Sequence, residues 1–314
     1  MILDPENNRI TVSDDSTKVL RLILYYDIFD HPLSEEELME DCSIVNAEKD
    51  CLESLVGENL IYRLNGYYSV RKDPQLSIRR KKGRENTTKA MPRALRTGRL
   101  ISRFPFVRAV ALSGSISKGY MDSFKDVDYF IITKPNRLWL ARTLLVIYKK
   151  VFLLNSFRFF CLNYFIDEDN LEIRNRNIFT ATEINTMIPV SGHNLIDSFL
   201  RSNSWVEEYY PAYLQNKIPE KEGSSAGRLK RLMEGLLTAL AGNWLDILAM
   251  KFTVWYWKKK YRNHERNLLE KSFRLSRNEA KYHPGDFQNR VLSAFRQKAS
   301  EFEKNKNVKI DYGE

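Results

Sequence analysis

Cysteine is scarce in this 314-residue chain: only Cys42, Cys51 and Cys161, none in a C-x-x-C spacing. An odd, scattered set excludes a disulfide framework and a structural zinc site, and it fits a reducing compartment. Histidine is nearly as rare, with four residues spread along the chain. No Ser/His/Asp order and no metal-ligand spacing forms around them. Long hydrophobic runs are missing too. The most apolar region, Leu229 to Trp257, is interrupted by Glu234, Asn243, Asp246 and Lys251. Its longest uncharged stretch, Gly235 to Leu245, has 11 residues, against the roughly 20 needed to cross a bilayer. Met1 to Ser16 has neither a basic start nor an apolar core. The expectation is a cytoplasmic protein without leader or transmembrane segment.

What is present is ordinary globular material. Hydrophobic residues at 43% and charged residues at 29% exclude a disordered chain, and the length suits two domains or three. The net charge of +10 is unevenly placed. Residues 17–70 hold 4 basic and 11 acidic side chains, 71–100 hold 11 and 2, and 221–314 hold 20 and 11. An acidic head, a basic connector and a basic tail read as separate modules, the later two suited to an anionic partner.

The head reads as three helices and a hairpin. Thr17 to Phe29 is strongly apolar and stops at Asp30-His31-Pro32. Ser34 with Glu37 is a capping box opening a helix over Glu35 to Cys42. Asn46 caps a third helix carrying Leu52, Leu55, Val56 and Leu60 at helical spacing. Ile61–Leu64 and Tyr67–Val70 flank Asn65-Gly66, the strongest hairpin-turn dipeptide. This set resembles a winged-helix module over 17–72. Its third helix carries Glu48, Asp50, Glu53 and Glu58 against Lys49 alone, so packing or protein contact is expected rather than DNA binding. The basic connector, 73–104, reads as helical, and Arg93, Arg96 and Arg99 share one side.

Residues 107–132 read VRAVALSGSISKGYMDSFKDVDYFII. A buried strand, Val107 to Leu112, runs into Ser113-Gly114-Ser115. Ten residues on, Asp126-Val127-Asp128 leads into apolar Tyr129 to Ile132. In a strand, Asp126 and Asp128 project to one face and Val127 to the other. Gly114 permits close backbone approach to a ligand, Ser115 can donate to phosphate oxygens, and Gly119 allows a turn. Two adjacent carboxylates repel unless a cation lies between them, which points to Mg²⁺. The pattern resembles the polymerase-β-like nucleotidyltransferase superfamily: Gly-Ser, about ten residues, then Asp-hydrophobic-Asp, with Ser117-Lys118-Gly119 matching the small-basic-Gly step of its small-molecule members.

The resemblance implies an NTP as co-substrate and Asp126 and Asp128 as catalytic ligands of one or two Mg²⁺ ions. Gly114, Ser115, Lys118 and Gly119 would cradle the nucleotide. It also implies a third carboxylate on a later strand. The strand expected over Phe157 to Ile166 offers Asn163 there, which can ligate a metal but cannot act as a base. Asp167, Glu168, Asp169 and Glu183 are the nearby acids that could replace it.

Leu140, Leu144, Ile147, Val151 and Leu154 mark an amphipathic helix expected to pack on the sheet, with a membrane-surface role a distant second. The aromatics Trp244, Trp255, Tyr256 and Trp257, closed by Lys258–Lys260, invite a nucleic-acid or membrane reading, but core residues with a cationic helix end are the expected one. Tyr282-His283-Pro284 reads as a loop. The expected fold is α+β: a mixed-sheet nucleotidyltransferase core over 105–190, flanked by the winged helix and by a helical region over 191–314. The expected activity is Mg²⁺-dependent transfer of a nucleoside monophosphate to a small molecule, protein or RNA. The alternative is a catalytically impaired nucleotide-binding regulator acting through its winged helix.

Overall fold

The computed structural model describes residues 2–4, 9–11, 13–42, 49–122, 126–153, 159–214, 227–241, 243–260, 273–282 and 286–310. Asn46, His283, Pro284 and residues 157–158 of the expected strand lie outside these.

Strands β1 (Ile2–Asp4) and β2 (Arg9–Thr11) open the chain. Helix α1 (Asp14–Asp27) is capped by Ser13, whose side chain accepts from the Ser16 N–H. It is buried on nearly every side, from Val19 to Asp27. Strand β3 (Leu33–Ser34) leads into α2 (Glu35–Cys42) through the capping box. Ser34 N–H donates to Glu37 at 2.9 Å, and Glu37 N–H donates to Ser34 Oγ at 3.3 Å. Helix α3 (Lys49–Gly57) and the hairpin of β4 (Tyr62–Leu64) and β5 (Tyr67–Ser69) follow. These strands form a three-stranded sheet in the order β3-β5-β4.

The basic connector is one helix, α4 (Pro74–Ser102), with Asp73 as its cap and Pro74 in its first turn, where a proline needs no donor. Next come β6 (Val107–Ser113), the single turn α5 (Gly114–Ser117), β7 (Asp128–Thr133), α6 (Leu138–Phe152) and β8 (Cys161–Asp167). Helix α7 (Ile178–Asn185), β9 (Ile188–Ser191) and α8 (His193–Ser202) precede a 3₁₀ turn at Ser204–Glu208. The remainder is α9 (Arg228–Ala241), α10 (Trp244–Lys260), β10 (Phe273–Leu275), β11 (Glu279–Tyr282), α11 (Phe287–Lys306) and β12 (Val308–Lys309).

The central sheet has six strands in the order β10-β11-β8-β7-β6-β9. Among the described strands of this sheet only β7 and β8 pair in parallel, with α6 as their crossover. The class is therefore α+β with a mixed sheet. The region after residue 190 is not purely helical, contrary to expectation. Strands β10 and β11 extend the sheet beyond β8, and β12 pairs in parallel with β2.

Alternation along the strands sorts the sheet into two faces. Val110, Leu112, Tyr129 and Ile131 pack with α4 and α6. Ala109, Ala111, Phe130 and Ile132 share one continuous core with α1, α7, α8 and α11. The N-terminal helices thus belong to the same core as the sheet. Helix α6 packs on the sheet as expected, but not through the whole stripe: Leu140 is buried and Ile147 and Val151 are exposed, while Leu154 lies outside the described residues. The expectation for the aromatic helix fails. Trp257 is buried, whereas Trp244, Trp255 and Tyr256 are exposed rather than core. No single described helix is long and apolar enough to cross a membrane.

Candidate functional site

Strand pairing sets Ser113, the last residue of β6, opposite Asp128, the first of β7. Gly114 therefore lies directly against the Asp128 carboxylate. A Cβ there would come within 2.4 Å of Asp128 Oδ2, and the backbone is left-handed with φ of 72°, so only glycine fits. The chain after α5 is strapped to α4 by three hydrogen bonds. Arg80 donates to the Gly119 carbonyl at 2.6 Å, Met121 N–H donates to the Gly83 carbonyl at 3.2 Å, and Asn86 donates to the Met121 carbonyl at 3.1 Å. Tyr120 lies across Gly83 so closely that a Cβ would sit 2.2 Å from its ring. Arg80 also pairs with Glu37 of the capping box, which wires the N-terminal module to this loop.

Gly114, Ser115, Lys118, Asp126, Asp128 and Asn163 all line one cavity of about 440 Å³. Gly119 lies next door, in a cavity of about 290 Å³ that shares Lys118. Asp126 stands just before β7 rather than in it. Val127 is nonetheless fully buried on the opposite side, so both carboxylates reach the cavity. The N-terminal module closes one wall with Tyr26, Phe29 and His31. Phe287 and Arg290 come from α11, and Phe179 from α7.

Asn163 enters by a strand irregularity. Along β8, Cys161 pairs with Asp128 and Leu162 with Tyr129, but Phe130 pairs with Tyr164. Asn163 is the extra residue of that bulge. The residue directly beside Asp128 is Cys161, whose thiol hydrogen-bonds its carboxylate. Of the alternative acids, Glu183 on α7 lines the cavity. Asp167 is buried at the other end of β8, where it accepts from Asn170 at 2.8 Å.

Glu183 occupies the groups expected to hold phosphate. Its carboxylate accepts from the Gly114 N–H at 3.3 Å and from Lys118 Nζ at 2.8 Å. Burial pushes the Asp128 carboxyl up to about 7, and the negative charges of Glu183 and Asp126 add to this while Cys161 and Lys118 oppose it. A cation bound at Asp126 and Asp128 would relieve that conflict, and their oxygen donors suit Mg²⁺. Among the described residues no group of three or more His, Cys, Asp or Glu side chains could hold a metal ion. Its other ligands would be phosphate oxygens and water, as is usual for Mg²⁺.

The connector arginines divide. Arg80 is buried and serves the loop, whereas Arg93, Arg96 and Arg99 are exposed and do not line the cavity. Cys161, the aromatic wall and Arg290 join the site without a motif that marks them in the sequence. For Arg290 no local signal exists, because α11 reaches the site only through the tertiary fold.

No family model, curated protein or solved structure matches this chain.

Proposed function

We propose that this protein is a Mg²⁺-dependent nucleotidyltransferase that moves a nucleoside monophosphate from an NTP to an acceptor. The observation that carries the reading is the convergence of Gly114, Ser115, Lys118, Asp126 and Asp128 on one cavity. Asp126 and Asp128 would hold the metal, which when bound lowers the charge on the triphosphate and acidifies the attacking group. The Ser115 hydroxyl, Lys118 and Arg290 would bind phosphate oxygens. Tyr26, Phe29, Phe179 and Phe287 offer ring faces for a base and keep water from that side. In this reading the winged-helix-like module is a wall of the active site rather than a DNA reader. Small molecules, protein side chains and RNA ends remain the acceptor classes.

A second reading, nucleotide binding without transfer, is favoured by one observation. Glu183 already engages the Gly114 N–H and Lys118, and Asn163 stands where a base would be expected. Incubation with each α-labelled NTP, Mg²⁺ and a cell extract distinguishes the two. Transfer predicts labelled acceptor and released pyrophosphate, both lost in Asp126→Ala. Metal-dependent NTP binding with no label transferred would support the regulator.

A further inference from the structure

We propose that the outward face of α9 and α10 docks on an anionic lipid bilayer, lying in its interface rather than crossing it. Helix α9 is built inside out. Leu229, Leu232, Met233 and Leu236 recur at intervals of three, one and three and so form one stripe, yet each is 41% to 71% exposed. The side facing the body of the protein carries Lys230 and Glu234 together with Leu237, which packs against the core. Lys230 donates to the carbonyls of Ser102 and Val107 at 2.8 and 2.5 Å. Glu234 accepts from Arg108 and from the Phe106 N–H. A helix serving only a water-facing surface would bury the leucines and show the charges.

Helix α10 is apolar on both sides: Ala249, Met250 and Trp257 face the core, and a second apolar face is left outward. Trp244, Leu248, Phe252, Trp255 and Tyr256 share one side and are 40% to 64% exposed. Asp246 turns inward, accepting from the Leu140 N–H at 2.8 Å, and Trp257 is buried under the Arg142 guanidinium, 4.5 Å away. Ile147, Val151 and Phe152 add an exposed apolar end from α6, which packs against α10. Soluble monomers rarely expose so many contiguous large apolar side chains without a partner.

Charge selects the partner. Residues 228–260 carry seven basic and two acidic side chains; both acids, Glu234 and Asp246, are turned inward, as is one of the bases, Lys230. Lysines rim the aromatics: Lys150 Nζ lies 5.4 Å from the Tyr256 ring and Lys259 Nζ 5.4 Å from the Trp255 ring. Leucines that sink into acyl chains, aromatics at headgroup level and lysines among phosphates are what an anionic interface takes. A second copy of this face across a two-fold axis would set basic rim against basic rim. A nucleic acid would satisfy the lysines and leave the leucine stripe in water. The two helices turn through 89° at their junction, so they do not form one straight span.

The test is co-sedimentation of the full-length protein with vesicles of phosphatidylcholine alone and of phosphatidylcholine mixed with phosphatidylglycerol. The protein should pellet with the mixed vesicles and bind pure phosphatidylcholine about tenfold more weakly or less, with high salt reducing the former. Leu232→Glu with Phe252→Glu should stay in the supernatant at unchanged melting temperature. Lys258→Glu with Lys259→Glu should weaken only binding to the mixed vesicles. No pelleting, or equal pelleting of the Leu232/Phe252 variant, would overturn the proposal. So would a wild-type dimer that the same variant dissociates, which would assign the face to a second copy.

Discussion

Replacing Asp128 with asparagine should stabilise the ligand-free protein above pH 7. The carboxyl is pushed by burial and by Glu183 and Asp126 from an ordinary 3.8 to about 7. Between those values the folded protein holds a proton that the unfolded chain has released, so stability falls as pH rises through the window. The loss is complete above about 7. At 1.36 kcal/mol per pH unit the gap amounts to about 4 kcal/mol. Solvent reaching the carboxylate through the cavity makes that a ceiling. Asparagine keeps the shape and an acceptor for the Cys161 thiol but cannot ionise. The assay is thermal unfolding of both proteins from pH 4 to 8 in EDTA. The variant should match wild type near pH 4 and pull ahead towards pH 8, by at most about 8 °C at about 2 °C per kcal/mol. Mg²⁺ should narrow the gap by stabilising only the wild type. A difference independent of pH, or a variant less stable at pH 8, would refute the placement of Asp128 among like charges.

Glu183→Gln should tighten NTP binding by up to about tenfold, because removing one charge frees Lys118 and Gly114 for phosphate; calorimetric titration checks this, and weaker binding would show that NTP needs Glu183. Arg80→Met should cost about 2–3 kcal/mol in urea unfolding, since Glu37 and the Gly119 carbonyl lose their shared donor. Adding Glu37→Gln to that variant should cost little more. Asn163→Asp should weaken NTP binding in EDTA and steepen its dependence on Mg²⁺; no change in either would mean that Asn163 does not reach the metal pair.

Features spanning a few residues could be read directly. Ser34 and Glu37 stand three apart and form the capping box, and Asn65-Gly66 turns the hairpin because the turn needs nothing from elsewhere in the fold. The Gly-Ser and Asp-x-Asp pair was legible at longer range because one antiparallel register, Ser113 against Asp128, brings both into the same cavity. Strands β10 and β11 were not legible. β11 pairs with β8, over 100 residues away, and short strands carry too little periodicity to announce it. The bulge that turns Asn163 into the site depends on how β7 and β8 pair, which no local propensity records. For α9 the stripe itself was plain in the residues, but periodicity says only that a helix has two faces. Which one turns inward was decided by Arg108 and the Ser102 and Val107 carbonyls, groups on other elements.

The central claim is a metal-dependent nucleoside triphosphate site at Asp126 and Asp128. Its most direct test is the melting temperature with a non-hydrolysable NTP analogue, with and without Mg²⁺, for wild type and Asp126→Asn. The wild type should rise by several degrees only when analogue and Mg²⁺ are both present, and the variant not at all. An equal rise without Mg²⁺, or an undiminished rise in the variant, would contradict it.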